Sequence, residues 1–460
     1  MSIDIFPDLV LLEIFDFFLI TDQYKGKEIE TWQSLVHVCR QWRRVIFGSP
    51  HRLDLRLSCS TRTKTPVRDT LDIWPPLPLV VYGGSQRPEE LDNLIAVLER
   101  SDRVRLIDIS LSSSHLESAS TAMQKPFPQL KFLRINSYKA MSLPNSFLGG
   151  SAPGLQYLSL NGIPFPGLPK LLSSATHLVH LDLINVPHSG YFSSEAIVTA
   201  LSMLTSLEGV GLVFQSPLSP QIRRPPPQTR FVFPNLVSLV FKGVSEYLED
   251  LVAHIDAPRL HRLSITFFNQ IVFDAPQTIQ FISRTPTLKT PKNARLTFQD
   301  DASMVFISSQ TPGYGHGTVH YVTLCKESDW KLSFMEQVCT SCLPPLAALE
   351  DLIYEETYLT RDWKDNIENA LWLELLHPFS AVKNLYLSEK IAPRIAPALQ
   401  EVVGDSTLEV LPALQNIFLE GLQPSGPNQE GILKFVAARQ LSGHPITVSL
   451  WDGTSPVPRR

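Results

Sequence analysis

Ten times along the chain, an apolar residue is followed three positions later by a second and two positions after that by a third. The sets are Val104, Ile107 and Ile109; Leu130, Leu133 and Ile135; Leu155, Leu158 and Leu160; Leu178, Leu181 and Leu183; and Leu207, Val210 and Leu212. They go on through Leu236, Leu239 and Phe241; Leu260, Leu263 and Ile265; Leu349, Leu352 and Tyr354; Val382, Leu385 and Leu387; and Leu414, Ile417 and Leu419. The last two residues of a set alternate, as side chains on one face of a short strand do. The first anchors the turn that leads in. No single set can bury its face alone, so the sets have to stack.

Starts of the first seven sets lie 26, 25, 23, 29, 29 and 24 residues apart. This period resembles that of leucine-rich repeats, which run about 20–29 residues. Helical patterns fill several intervals, at Glu89–Arg100, Pro169–Ser174, Glu195–Met203, Glu246–Ile255 and Thr278–Arg284. The expected fold is therefore α/β: an irregular solenoid with a curved parallel sheet inside and helices outside. Each buried Leu or Ile should contribute roughly 1.5–3 kcal/mol relative to exposure. The asparagine that a regular repeat places three residues past the last apolar position is replaced by Tyr138, Ile163, Val186, Gln215, Val244 and Phe268. An ordinary α/β domain with strands ending in Leu-x-Leu is the other reading, and ten recurrences weigh against it.

Residues 299–346 break the rhythm. Ser303–Ser309 and Thr318–Leu324 read as two strands joined by the glycine-rich Thr311–Gly317, a hairpin inserted in the array. Asp329–Leu343 reads as a helix stopped before Pro344 and Pro345. Pro217–Pro227 reads as an exposed loop. Most of the 37 prolines punctuate short apolar segments in this way.

The first fifty residues follow another pattern. Pro7 can open a helix and Asp8 places negative charge in its first turn. Leu11, Leu12, Phe15, Phe18 and Leu19 recur at helical spacing. A second helix is predicted over Glu30–Phe47, with Leu35, Val38, Cys39, Trp42, Val45 and Ile46 on its apolar face. Ile5-Phe6-Pro7-Asp8, Leu12-Glu13-Ile14-Phe15 and Val38-Cys39-Arg40-Gln41-Trp42-Arg43 resemble an F-box. The whole chain resembles the large fungal families in which loose leucine-rich repeats follow an F-box. Two features depart from the family pattern: Phe6 stands where leucine usually precedes proline, and the charged segment Thr21–Glu30 lengthens the link between the motif halves. The resemblance implies binding to the Skp-type adaptor of a cullin-RING ubiquitin ligase through Phe6, Pro7, Leu11, Leu12, Ile14, Phe15, Leu35, Val38, Cys39 and Trp42. The other reading of these helices is a plain cap on the array.

Chemistry of other kinds finds little support. Five cysteines in 460 residues make no disulfide framework and suit a reducing compartment. A net charge of −5 favours neither nucleic acid nor a membrane surface as partner. No stretch approaches 18 uninterrupted apolar residues, so no membrane-spanning helix is expected. Cytoplasm, nucleus or both are the expected location. Gly313, Gly315 and Gly317 open no helix, so they read as loop. Cys339 and Cys342 form a lone C-x-x-C without a second ligand pair, and no metal is expected. His177 with His180, and His316 with His320, lack a companion carboxylate. Neither a nucleophile elbow nor a P-loop occurs. No catalytic residue and no cofactor are assigned; an enzyme would need residues distant in sequence to converge in the fold.

The domains expected are 1–50, the F-box; 51–100, a junction with the first solenoid units; 101–298, leucine-rich repeats; 299–346, the inserted hairpin and helix; and 347–460, further repeats and a cap. The leading reading is a substrate-recognition adaptor of an SCF-type ligase, with an unknown protein substrate held on the solenoid. Its rivals are a scaffold outside ubiquitin chemistry and, behind it, an enzyme formed on the solenoid. Side chains between the inward leucines select the substrate surface: Phe132, Arg134, Tyr157, His180, Asp182, Arg262, Tyr386 and Phe418. Aromatics and arginine are enriched where proteins bind one another.

Overall fold

The structure is a computed structural model. It describes residues 6–21, 35–48, 55–58, 67–73, 76–85, 87–137, 141–217, 229–268, 274–289, 291–299, 302–308, 317–323, 328–343, 346, 349–356, 368–402, 410–421 and 427–453. Most of the charged segment Thr21–Glu30, nearly all of the proline-rich loop, the glycine-rich loop up to His316, Cys59 and Cys325 lie outside the described residues, as do the side chains of Phe18 and Leu19. The chain forms two compact units, Met1–Tyr191 and Phe192–Arg460.

In the first unit six strands run parallel in chain order: β1 Leu55–Ser58, β2 Leu79–Ser85, β3 Val104–Leu111, β4 Phe132–Ser137, β5 Tyr157–Asn161 and β6 His180–Val186. The second unit contains β7 Gly209–Phe214, β8 Phe231–Val232, β9 Ser238–Gly243, β10 Ile255–Asp256, β11 Arg262–Phe267 and β12 Asn293–Phe298. It continues with β13 Ser303–Ser308, β14 Thr318–Thr323, β15 Asp351–Glu356, β16 Asn384–Leu387, β17 Asn416–Glu420 and β18 Thr447–Trp451. β8 and β10 form a small parallel pair of their own.

Register explains the ten sets. Leu133, Leu158 and Leu181 are successive Cα partners, and so are Ile135, Leu160 and Leu183. Every residue of every set is buried. A fourth inward position precedes each of nine sets: Phe127, Ala152, Ala175, Leu204, Phe233, Ala257, Leu346, Phe379 and Leu411 are buried as well. Each accepts, on its carbonyl, the N–H of the set's first residue at 3.0–3.4 Å. The working unit is thus apolar-x-x-apolar-x-x-apolar-x-apolar, one turn longer than the sequence reading. Where a regular repeat has asparagine, Ile163, Val186 and Val244 are buried apolar side chains.

Helices cover the inward face. Ser112 and Ser193 cap theirs by accepting the N–H of His115 and Ala196. Pro88 opens another, where Glu90 reaches back to accept the N–H of Arg87 at 3.1 Å. The predicted return helices occur at Pro88–Leu98, Leu168–Ser174, Ser194–Leu201, Ser245–Ala253 and Pro276–Arg284. Those at Ser113–Ala122, Asn369–Leu376, Ala392–Glu401 and Pro427–Leu441 escaped the sequence reading. No helix of the described residues is long and apolar enough to cross a membrane.

The irregular stretch is built into the sheet. β13 runs antiparallel to both β12 and β14, while β14 lies parallel to β11 and β12 parallel to β15. The spatial order is therefore β11, β14, β13, β12, β15. Only residues 299–302 join β12 to β13. A parallel crossover needs about a dozen residues or more, so a link this short forces the chain to turn back. The expected helix follows at Ser328–Ser341 and buries Cys339 and Cys342. Burial pushes both thiols up, consistent with core cysteines.

Candidate functional site

Two places gather the residues singled out above. The first is the N-terminal helix pair. Pro7 begins the helix Asp8–Thr21, its carbonyl accepting the N–H groups of Val10 and Leu11. Leu11 and Phe15 lie four apart and are buried, with Leu35, Val36, Val45 and Ile46. The Phe15 ring meets that of Trp42 edge-on, with centroids 4.8 Å apart. Trp42 is half-buried, and its indole N–H has no acceptor among the described residues.

The second helix is not continuous. The chain turns at His37 and Val38, and a new helix runs Arg40–Gly48. The cause lies in two side chains. Cys39 Sγ accepts the N–H of Trp42 at 3.4 Å, in the manner of an N-cap, and Arg43 Nε donates to Val36 O at 2.9 Å, closing the turn before it. The bend leaves Val38 58% exposed.

The ten residues assigned to adaptor binding therefore divide. Leu11, Phe15 and Leu35 are interior; Leu12, Cys39 and Trp42 are half-buried; Phe6, Pro7, Ile14 and Val38 are exposed. Leu9 and Val10 are exposed too and were missed. Val10 and Ile14 lie four apart on the helix, a second apolar stripe beside the Leu11–Phe15 stripe with Phe6 just ahead of the helix, and that spacing was the available signal.

The second place is the outward face of β3–β6, opposite the helices. Side chains there alternate with buried ones, and register sets Asp108 beside Arg134, Arg134 beside Ser159, and Ser159 beside Asp182. Arg134 Nη1 donates to Asp108 Oδ2 at 3.1 Å and Nη2 to the Tyr157 hydroxyl at 3.1 Å. That hydroxyl donates in turn to Asp182 Oδ2 at 2.9 Å. Phe132 and Tyr157 stack with planes 3° apart and centroids at 4.3 Å, and the guanidinium lies over both rings. The hydrogen bond that Arg134 donates to Tyr157 is the first of several causes raising the Arg134 pKa. His180 adds a tilted ring beside Tyr157. Ser159, buried and small, leaves room for Arg134 to reach Tyr157.

Five of the eight predicted substrate residues are thus one connected ladder. The other three lie in the second unit. Arg262 is exposed on β11. Tyr386 occupies the expected face but is only 2% exposed, so it offers no binding surface: Phe418 stacks on it at 4.5 Å and Trp451 meets it edge-on at 5.6 Å. Phe418 lies on β17, whereas Trp451, in one cluster with Ile353 and Tyr386, comes from β18, which the sequence reading did not place. Beside it runs a polar ladder from Asp351 to Asn384, Asn416 and Thr447. Burial raises the Asp351 pKa. Among the described residues no group of three or more His, Cys, Asp or Glu side chains could hold a metal ion.

No protein-family model matches the chain, and no curated protein does. Solved structures similar to it include TLR13 in complex with ssRNA13, at 14% identity and a TM-score of 0.30 over 85% of this chain. The chain spans about half of that one, 48%. The leucine-rich repeat-containing protein LegL7 from Legionella pneumophila is 12% identical, with a TM-score of 0.28 over 86% of this chain and 99% of its own. A yeast complex of Rad7 and Elc1 is 11% identical, with a TM-score of 0.27 over 90% of this chain and 88% of its own. Overlaps this loose add nothing to the assignment. The leucine-rich-repeat architecture rests on register and burial in this chain.

Proposed function

We propose that this chain is the substrate-recognition subunit of a cullin-RING ubiquitin ligase, its N-terminal helices acting as an F-box and its sheet face holding a protein substrate. The observation that carries the reading is the apolar stripe Val10 and Ile14, with Phe6 and Val38, left exposed to water while Leu11 and Phe15 are buried and Trp42 meets Phe15 edge-on. A plain cap would turn such a stripe inward or make it polar, since exposed apolar patches mark interaction surfaces. Residues that resemble the F-box signature supply both layers, one to hold the motif together and one to meet the adaptor.

The ladder on β3–β6 supports the other half. Its side chains are fixed by mutual hydrogen bonds and stacking before any partner arrives, so little rotamer entropy remains to be lost on binding. The chain itself needs no reactive group. The ligase supplies the ubiquitin thioester, and this subunit raises the effective concentration of a substrate lysine beside it.

Calorimetry with a Skp-type adaptor tests the reading. Wild type should bind, Val38→Asp and Ile14→Asp should not, and all three should melt alike. Cullin should co-purify with the bound adaptor. Adaptor binding without cullin would leave a scaffold, and no binding by wild type would reduce the motif to a cap.

A further inference from the structure

On the outward face of the second unit Arg295 pairs with Glu355 at 3.3 Å. Arg262 and Lys242 are different. Neither cation has a carboxylate partner among the described residues; Lys242 lies only over the Phe268 ring, at 5.4 Å. Arg262 is exposed, and its neighbours by register are Ser238 and Thr318. Lys242 pairs with Thr266, four residues further along β11. The two cations are therefore about 13 Å apart along the strand direction, at roughly 3.3 Å per residue. Between them lie Val240, Ser264 and His320. Burial and the charge of Arg262 hold the His320 pKa low, so it adds an aromatic surface rather than a third cation at neutral pH. Two uncompensated cations on a chain of net charge −5 mark a local reversal of sign.

We infer that this stretch of sheet binds an extended acidic segment of a partner protein, with carboxylates four positions apart reaching Arg262 and Lys242 and an apolar side chain midway over Val240 and His320. In an extended segment, alternate side chains share a face and residues four apart span the same 13 Å or so. The spacing of the site thus selects the spacing of the ligand. This surface is made by other residues than the β3–β6 ladder, and the inference rests on the reading that the chain binds proteins.

The test uses the full chain and a fluorescein-labelled peptide carrying two glutamates four positions apart with leucine midway, read by anisotropy. Controls are a peptide of the same composition with adjacent glutamates and one with lysines in place of glutamates. The spaced peptide should bind more tightly than either. Arg262→Glu and, separately, Lys242→Glu should each weaken it by roughly tenfold or more, with unchanged melting. Equal binding of the spaced and adjacent peptides, or indifference to both reversals, would overturn the inference. So would tighter binding of a single-stranded RNA of equal charge, which would make the face a general polyanion site. Adaptor affinity measured on the same preparations separates the two ideas: peptide binding without adaptor binding sinks the ligase reading and leaves this surface standing.

Discussion

Glu249 receives, from the repeat after its own, the N–H of Thr278 at 2.8 Å and the Thr278 hydroxyl at 2.6 Å. Its second oxygen takes the N–H of Gln277 at 2.8 Å. The helix Pro276–Arg284 has Ala275 at its N-cap and no side-chain cap of its own. One repeat thus caps the next, and Arg284 answers by donating back to Val252 O and Ile255 O at 2.7 Å. Glu249→Ala should cost about 1–2 kcal/mol, the usual worth of a cap, in urea unfolding.

The same carboxylate predicts a pH effect. Burial raises the Glu249 pKa, outweighing the hydrogen bonds from Thr278 and Gln277 that lower it. The folded chain then binds this proton more tightly than the unfolded chain does. The linked stabilisation is complete below the unfolded-state pKa and is lost as pH rises through the folded-state value. Relative to Glu249→Gln, which cannot titrate there, wild type should lose stability as pH rises above the ordinary glutamate range, about 4.3. Parallel unfolding curves for the two proteins check the sign.

Pro7 and Trp42 should fail differently. Trp42→Ala removes the edge-on partner of Phe15 and should cost on the order of 1–3 kcal/mol within the N-terminal helices, less than a fully buried indole would, because Trp42 is half-buried. Pro7→Ala alters an exposed residue and should leave the melting temperature nearly unchanged while weakening adaptor binding. Calorimetry and thermal melts on both variants separate the roles.

Tyr157→Phe should keep the stack on Phe132 and lose both hydrogen bonds of the hydroxyl. The expected cost is roughly 1–2 kcal/mol, since Arg134 and Asp182 are only half-buried and water can replace part of what is lost. A Tyr157→Ala change that costs no more than Tyr157→Phe would show that the ring stack contributes nothing.

Thiol labelling should rank the described cysteines. Cys39 is half-buried, whereas Cys339 and Cys342 are buried with their pKa values pushed up. The thiolate is the reactive form. Iodoacetamide should modify Cys39 in the native protein and reach Cys339 and Cys342 only after unfolding, as peptide mapping would resolve.

The apolar sets made the strands legible because burial demands a strict period, and side chains such as Leu158 and Leu181 leave no freedom in register. The fourth inward position was harder to see, since Ala152, Ala175 and Ala257 are too small to stand out as apolar. Helices in the later returns were missed for another reason: in Ala392–Glu401 the apolar residues are interrupted by Pro393, Arg394 and Pro397. On the β3–β6 face, alternation alone chose Phe132, Arg134, Tyr157, His180 and Asp182. The same rule failed at Tyr386, because the ring that covers it, Trp451, comes from a strand 65 residues away in sequence.

The antiparallel strand β13 has a consequence for how the protein is made. On the ribosome β12 emerges before β13 and β14, yet in its final place two strands, β14 and β13, separate it from β11. When β12 first appears, the vacant edge of β11 is the nearest template, and the alternating Ala294, Leu296 and Phe298 would suit it. That early pairing would have to be undone before β14 could take the position. Contacts this far out of chain order slow folding, so refolding of the full chain should contain a slow phase in which β14 takes the place of β12 against β11.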